Sequence, residues 1–560
     1  MSARRRLVGA ACTLLGLVLT LPACSRRVAL PATSTAPPAR AAAVGKPAFG
    51  GSVTLALEAD PDSLNPLYSA TAEGFYLTDL LFDGLTYINE KLEVAPRLAR
   101  SWESSPDGTE WTFHLREDAT FHDGQPVTAE DVVYTYRVLM DRGYTGPRAE
   151  SVAPVRDVTA VDPHTVRFTL KEAYAPFLRT GTQIGILPRH LLAGVPVKEL
   201  EKAPWGQEPV GSGPYRFVEW QPGQYIELEA NEDWFLKKDG LGPWIKTIRW
   251  QVIPDPDARV AALESGRVDA VYNVPGAQVA RLKEEKKGTL RAYDWQRMGF
   301  GYIALNTSRP PLDDRRVRQA LSYALDREAI VREVLHGMGV VPPGPIPPAS
   351  WAYKPDAKGY AHDPQKAAEL LVQAGYNRDA EGRLVKGGKP LVLKFYGSNA
   401  GPVIEGVAQQ VRKDWGALGI QVDVELLDFA TMMQTYVMPG NYDAAFSAFS
   451  LDADPDSLYA LYHSSSGRPD AQGRVRGFNR SRYANPEVDR LLEEARRTAD
   501  QEKRKALYAR VQELVVEDAP HIWVYTNTRT DFTSARVKGV VNTPGYGIAL
   551  FPWRWYVEEE

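Results

Sequence analysis

The stretch LVLKFYGSNAGPVIEGVAQQVRKDWGALGIQVDVELLDF, Leu391 to Phe429, decides the fold. LVLKFYGS reads as a strand, VIEGVAQQVRKDWGALG as a helix and IQVDVELLDF as a second strand. Two strands joined through a helical crossover lie parallel, so this segment predicts a βαβ unit and an α/β lobe around it.

The flanking sequence extends that lobe. In PPLDDRRVRQALSYALDREAIVREVLHG, Asp313 or Asp314 can cap a helix whose apolar face is Val317, Ala320, Leu321, Ala324 and Leu325, with Gly337 as its stop. DPQKAAELLVQAGY repeats the pattern, with Asp363 as cap, Pro364 at the first helical position and Gly375 as terminator. Two more helices run from Pro486 to Val516, and HIWVYTNTR returns to strand.

The first half reads differently. Val53, Leu55 and Leu57 alternate as in a strand. Between Asp107-Gly108 and Asp123-Gly124, Trp111, Phe113 and Leu115 alternate as in a hairpin. Thr128-Ala129-Glu130-Asp131 reads as a helix cap, and Val132, Val133, Tyr136 and Leu139 give that helix an apolar face. A strand pair turning at Asp162-Pro163 completes an α+β subdomain over residues 91–201. From Gly211 to about Asn306 strands dominate again, with one short helix, ARVAALESG, before VDAVYNV.

The N-terminus begins MSARRRLVGAACTLLGLVLTLPAC. Three arginines precede an apolar run that stops at Leu21-Pro22-Ala23-Cys24, which reads as a signal peptide over residues 1–23. A cysteine directly after L-x-A is similar to the bacterial lipoprotein signal, in which that residue, here Cys24, becomes the lipidated N-terminus. Cys12 and Cys24 are the only cysteines, so the mature chain relies on core size rather than on disulfides. Residues 25–46 are rich in Ala, Pro, Ser and Thr and read as a flexible tether, so 24–49 is expected to link anchor to body. Loss of the signal peptide removes three of 66 basic residues against 70 acidic ones, a net charge near −7 that argues against nucleic acid as a partner.

FSLDADPDSLYALYHSSS, Phe449 to Ser466, places Asp452, Asp454 and Asp456 at alternate positions. As a calcium loop it fails: Ser457 stands where glycine is required and His463 where a bidentate glutamate is required. No metal and no cofactor is expected. Catalysis by paired carboxylates needs a partner acid across a cleft, which spacing alone does not show. A ligand clasp has a positional argument. YDAAFSAFS reads as a strand, so Asp452 lies just past its carboxyl end, where ligands bind in open α/β sheets. Asp-Pro-Asp-Ser, Asp454 to Ser457, also serves as a helix cap for the segment that follows.

Several consecutive segments resemble one family, the extracytoplasmic solute-binding proteins (family 5) of dipeptide and oligopeptide ABC transporters. They are SLNPLYSATAEGFYLTDLLFDGLTYINEKLEVAPRLARSWESSPDGTEWTFHLREDATFHDGQPVTAEDVVYTY, VGSGPYRF, AALESGRVDAVYNVP, YIALNTSRPPLDDRRVRQALSYALDREAIV, DPQKAAELLVQAGY and ANPEVDRLLEEARRTADQEKRKALYARVQELVVEDAPHIWVY. The resemblance covers Ser52 to the end. It implies an α/β, two-lobed, periplasmic-binding-protein-like clamp (type II, cluster C) with an extra α+β subdomain on lobe one. Lobe one would comprise 50–90, 202–305 and 526–560, and lobe two 306–525, with the chain crossing near Asn306 and Thr526.

The resemblance further implies a monomeric receptor without catalysis. It would deliver peptides to membrane permease subunits driven by cytoplasmic ATPases, and would be held outside the cytoplasmic membrane by lipid at Cys24. In the resembling receptors an aromatic and an aspartate at this strand end meet the peptide ammonium; Phe449 and Asp452 match them, with Asp454 as a second candidate. The turn is one residue shorter here, and Phe449 stands where those receptors carry Trp. Ala70, Thr71 and Ala72 match a loop that extends the ligand main chain like a strand. Arg297, Met298, Phe300 and Tyr302 lie where ligand-facing residues fall, although Phe300 and Tyr302 can equally alternate into a strand core. Arg297 can pair with a peptide carboxylate or stand solvated. His463 is read as hydrogen-bonded near the surface of lobe two, with metal or haem ligation as the alternative. Other readings are a receptor for an oligosaccharide, a nickel chelate or haem, a signalling adaptor, and a secreted hydrolase using Asp452 and Asp454.

Overall fold

The computed structural model describes residues 47–558; the signal peptide, Cys24 and the tether up to residue 46 lie outside the described residues. Val392–Ser398 and Gln421–Leu427 pair in parallel, in register from Val392↔Gln421 to Ser398↔Leu427. The helix between them, Pro402–Ala417, starts on a proline and buries Val407, Ala408, Val411 and Trp415. It is followed by Gly419 at φ +89°, a left-handed conformation that a side chain would strain.

In chain order the principal elements begin with β1 (Gly50–Leu57) and α1 (Ala72–Leu81). A separate antiparallel sheet follows, built of β2 (Ala99–Ser104), β3 (Glu110–Leu115), β4 (Val155–Asp162) and β5 (Thr165–Leu170) in the order β2-β3-β5-β4. Against it lies α2 (Ala129–Met140), opened by a capping box in which Thr128 and Asp131 satisfy each other's amides. Next come β6 (Tyr215–Gln221), β7 (Tyr225–Ala230), β8 (Ile245–Val252), β9 (Ala270–Val271), β10 (Leu290–Gln296) and β11 (Gly299–Leu305). The rest comprises α3 (Arg315–Ala324), α4 (Pro364–Gln373), β12 (Val392–Ser398), α5 (Pro402–Ala417), β13 (Gln421–Leu427), β14 (Ala444–Ser450), α6 (Ser457–Tyr462), α7 (Pro486–Arg497), α8 (Gln501–Asp518) and β15 (His521–Ser534).

One continuous path of strands runs β13-β12-β14-β11-β15-β9-β1-β8-β7-β6, with β10 also paired to β15. The long β15 is shared: His521 to Tyr525 pair with β11, and Thr528 to Ser534 pair with β10. β11 in turn pairs with β14 along its whole length, so it belongs to the sheet of lobe two. The chain therefore leaves the β10 pairing and enters the β14 pairing at Arg297–Met298, before Asn306, and β15 changes partner between Tyr525 and Thr528.

The expected single helix over 313–337 is interrupted. α3 ends at Ala324, and Asp326 caps a new turn by accepting the amide of Ala329 at 2.9 Å. The amide of Asp326 is itself taken by Asp414 at 2.8 Å. An aspartate able to start a helix ended the preceding one, a competition that apolar periodicity does not report.

β11 is buried from end to end, and its alternation divides two cores. Ile303 and Leu305 pack with α3 and α5, whereas Phe300, Tyr302 and Ala304 pack with α6, α7 and α8. Lobe one and the antiparallel subdomain share a single core that includes Phe113, Tyr136, Phe168, Trp234 and Trp250.

Candidate functional site

The sheet registers locate the cleft. In lobe one the parallel strands β1 and β9 end at Leu57 and Val271, and Val271 lies opposite Phe532 of the antiparallel β15. Residues of β15 preceding Phe532 therefore project beyond the carboxyl edge of lobe one. In lobe two the parallel strands β12 and β14 end at Ser398 and Ser450, with Ser450 opposite Gly299 at the start of β11. Both carboxyl edges thus flank the same pair of connecting segments, 297–298 and 526–527. In open α/β sheets such edges are where ligands sit.

The acidic loop lies just past Ser450, and its three aspartates meet three different surroundings. Asp452 is exposed and has no cationic partner among the described residues. Protein crowding around it, together with repulsion from Asp454 and Asp456, raises its carboxyl above the usual range. Asp454 is 1% exposed, and both its oxygens are taken by Arg504, at 2.6 and 2.7 Å. One of those oxygens also accepts the amide of Asp456 at 3.0 Å. Asp456 accepts two bonds from Arg496, at 2.8 and 3.0 Å, and one from the Tyr174 hydroxyl at 2.9 Å. The arginines of α7 and α8 decide which carboxylates are neutralised.

Asp454, expected among the ligand contacts, is therefore enclosed in a protein ion pair. A hydrolase built on Asp452 and Asp454 would need both carboxylates open to a common cleft, and one of them is closed off. Phe300 and Tyr302 are likewise withdrawn: each is 3% exposed, and the Tyr302 ring lies 4.4 Å from His521 within the core. Strand alternation turns both into the helical face of lobe two. Phe449 is half-buried, with its ring edge-on to Phe478 at 5.4 Å.

Ala70, Thr71 and Ala72 are exposed and lead into α1. Asp62 holds this loop, accepting the Ala70 amide and the Thr71 hydroxyl at 2.7 Å each. Thr71 then caps α1 through the Gly74 amide. The Ala70 amide is consequently occupied, and a strand-like ligand would find the Ala70 carbonyl and the first amides of the helix. Arg297 is exposed and reaches across the crossing to the Ser450 hydroxyl at 2.8 Å.

His463 is 6% exposed; its Nδ1 engages Ser465 at 2.7 Å, and its Nε2 lies 3.4 Å from Glu493. Among the described residues no group of three or more His, Cys, Asp or Glu is placed to hold a metal ion.

The loop also touches lobe one. Ala453 packs with Ile88 and Leu92, Arg179 lies 3.9 Å from Asp454, and the amide of Ala175 donates to the Arg496 carbonyl at 2.7 Å. Sequence reasoning missed Tyr174, Arg179, Arg496 and Arg504. Within RRTADQEKRK nothing distinguishes the buried Arg504 from its solvated neighbours.

Residues 93–470 match the bacterial extracellular solute-binding proteins, family 5 Middle. The chain belongs to that family. The oligopeptide-binding protein AppA of Bacillus subtilis is 32% identical over 487 residues, covering 86% of this chain and 87% of AppA. The structure of B. subtilis AppA in complex with a nonapeptide superposes with a TM-score of 0.67 at 30% identity, covering 92% of this chain and 100% of that one. NikZ from Campylobacter jejuni in complex with Ni(L-His) superposes with a TM-score of 0.69 at 27% identity, covering 90% and 99%. Family 5 proteins of this fold are two-lobed clamps and substrate-binding receptors, and the architecture of this family 5 chain is of that kind. No described helix is long and apolar enough to cross a membrane.

Proposed function

We propose that this chain is the extracytoplasmic receptor of an ABC importer, which closes on a peptide between its lobes and hands it to membrane permease subunits without catalysing a reaction. In this reading Cys24 carries the lipid anchor and the tether lets a monomeric body swing onto its permease. Asp452 takes the free ammonium of the peptide, with Phe449 beside it and the Ala70–Ala72 loop meeting the main chain.

The observation that carries the reading is the Asp452 carboxylate at the rim of β14, without a cationic partner among the described residues, next to two aspartates that each have an arginine of their own. A carboxylate left without a cation, and raised by its surroundings, gains most when a ligand supplies one. Charge-assisted bonds of this kind are roughly twice as strong as neutral ones.

Calorimetry with a tripeptide and its N-acetylated form tests the reading. Acetylation is expected to weaken binding by about tenfold or more. Asp452→Asn is expected to weaken the free tripeptide while leaving the acetylated form unaffected. Equal affinity for both forms in the unsubstituted protein would remove Asp452 from the proposed contact. Native mass spectrometry of the purified protein separates the remaining reading, a receptor for a metal chelate such as the one NikZ holds: a spread of peptide masses supports peptides, and one uniform metal-containing mass opposes them.

A further inference from the structure

The acidic loop after β14 is held from two sides. On lobe two, Arg504 and Arg496 take Asp454 and Asp456. From lobe one a small hairpin reaches it: Thr86–Ile88 pairs with Val94–Pro96, and Leu92 lies in the turn between them. Tyr87 fixes this hairpin to lobe one, its ring edge-on to Phe551 and Trp553 at 6.4 and 6.3 Å. Arg554 adds an ion pair to Glu90 at 3.3 Å.

Leu92 is the unusual residue of that turn. Its φ is +61°, a left-handed conformation in which a side chain crowds the adjoining carbonyl and which glycine adopts freely. Asn89 holds the turn: its carbonyl accepts the Leu92 amide, and its side-chain oxygen accepts the amides of Lys91 and Glu93, each at 2.9 Å. The strained leucine is nevertheless 3% exposed, and part of what covers it comes from lobe two. Ile88, Leu92 and Ala453 form an apolar cluster of their own, with Val94 and Tyr546 at its margin. Backbone strain persists where the surroundings over-determine it, and it gathers at clamps and switches.

The same tip is braced by Arg179. Its guanidinium donates to the Leu92 carbonyl at 2.6 Å, and its Nε lies 3.9 Å from Asp454 of lobe two. The guanidinium carbon is 5.5 Å from the centre of the Trp351 ring, which Arg504 approaches to 5.4 Å. Arg179 thus ties the hairpin tip to the acidic loop. Ala453 stands between Asp452 and Asp454 in the chain, so whatever seats Ala453 also sets the direction of Asp452.

We propose that Leu92, braced by Arg179, is a latch on lobe one whose catch is Ala453. Closing the lobes seats Leu92 on Ala453, and that contact fixes the loop that presents Asp452. Leu92 is in this sense a positioning residue for capture, acting through the loop and not on the ligand. The proposal goes beyond the peptide reading, because the latch holds whatever the cleft receives.

A size swap tests it. Ala453→Leu fills the seat of Leu92 and is expected to lower the closed fraction by about tenfold. The readouts are a larger radius of gyration in solution scattering and a matching loss of affinity for Ala-Ala-Ala in calorimetry. Adding Leu92→Ala to Ala453→Leu empties the seat again and is expected to restore shape and affinity to within about threefold, which a general loss of packing would not do. Independently, Leu92→Cys with Ala453→Cys should be bridged by a short bis-maleimide, and the bridged protein should be the more compact one. If Ala453→Leu changes neither readout, if Leu92→Ala fails to rescue it, or if the two thiols are not bridged, the latch is wrong. If Ala-Ala-Ala does not bind the unsubstituted protein, the peptide reading falls while scattering and cross-linking still decide the latch.

Discussion

Charge is arranged in opposite ways on the two sides of the cleft. In the loop after β14 three carboxylates crowd together, and the chain neutralises two of them with arginines from α7 and α8. On the crossing strands two guanidinium groups stand as neighbours, and the nearest carboxylate on the same face, Asp531, is turned to backbone amides instead. The loop shows what structural charge looks like here: buried, bidentate and paired. What has no ion pair among the described residues of these two regions, Asp452 on one side and Arg297 with Arg529 on the other, falls at the carboxyl edges where the topology places the cleft. Ion pairing separates the frame from the groups left free for a partner.

The largest test of that division is Asp454. Breaking a buried pair leaves an uncompensated charge, so Asp454→Asn is expected to lower unfolding free energy in denaturant titration by about 3–5 kcal/mol. Asp454→Leu combined with Arg504→Met should recover much of the loss, because neither charge is then stranded. If Asp454→Asn is as stable as the unsubstituted protein, the separation of frame from free groups does not hold.

Asp531 gives the next effect, read through pH. Its carboxyl is raised to about 6 from an ordinary 3.8, so between those values the folded chain holds a proton that the unfolded chain has released. Stability is therefore greatest below about pH 4 as far as this group is concerned, and falls as pH rises through about 6. At 1.36 kcal/mol per pKa unit the loss is about 2–3 kcal/mol. Asp531→Asn should flatten that part of the pH–stability curve. A curve that keeps its slope in the variant would assign the titration elsewhere.

Much of the architecture was legible because it is written locally. Leu391–Phe429 carries its strand, helix and strand in neighbouring residues, and the Thr128–Asp131 cap announces α2. The break at Asp326 was not legible, because an aspartate inside an apolar periodicity reads equally as a solvated residue or as a new cap. The partners of β11 were not legible for a related reason: it is apolar throughout, which says that it is buried but not against which strands. At the site, position relative to a strand end is what singles out Asp452 for the proposed contact. The fates of Asp454 and Asp456 depend on arginines 50 and 40 residues away, and the pairing of Tyr174 with Asp456 spans 282 residues. Arg529 sits in TRTDFTSAR, where only the register against β10 shows that it shares a face with Arg297.

The smallest effect concerns closure rather than ligand contact. The Tyr174 hydroxyl, in the segment following the antiparallel sheet, donates to Asp456 of lobe two, so this bond holds only while the two are together. A single bond to a charged acceptor that keeps its two arginine bonds contributes about 1 kcal/mol. Tyr174→Phe should therefore shift the closed-to-open balance by about fivefold and raise the radius of gyration in solution scattering of the ligand-free protein. Peptide affinity should fall by no more than the same factor, and equally for free, acetylated and amidated peptides, because no ligand contact changes. An effect confined to peptides with a free ammonium would show that Tyr174 acts through Asp452, and Asp456 would then have to be counted among the groups facing the ligand.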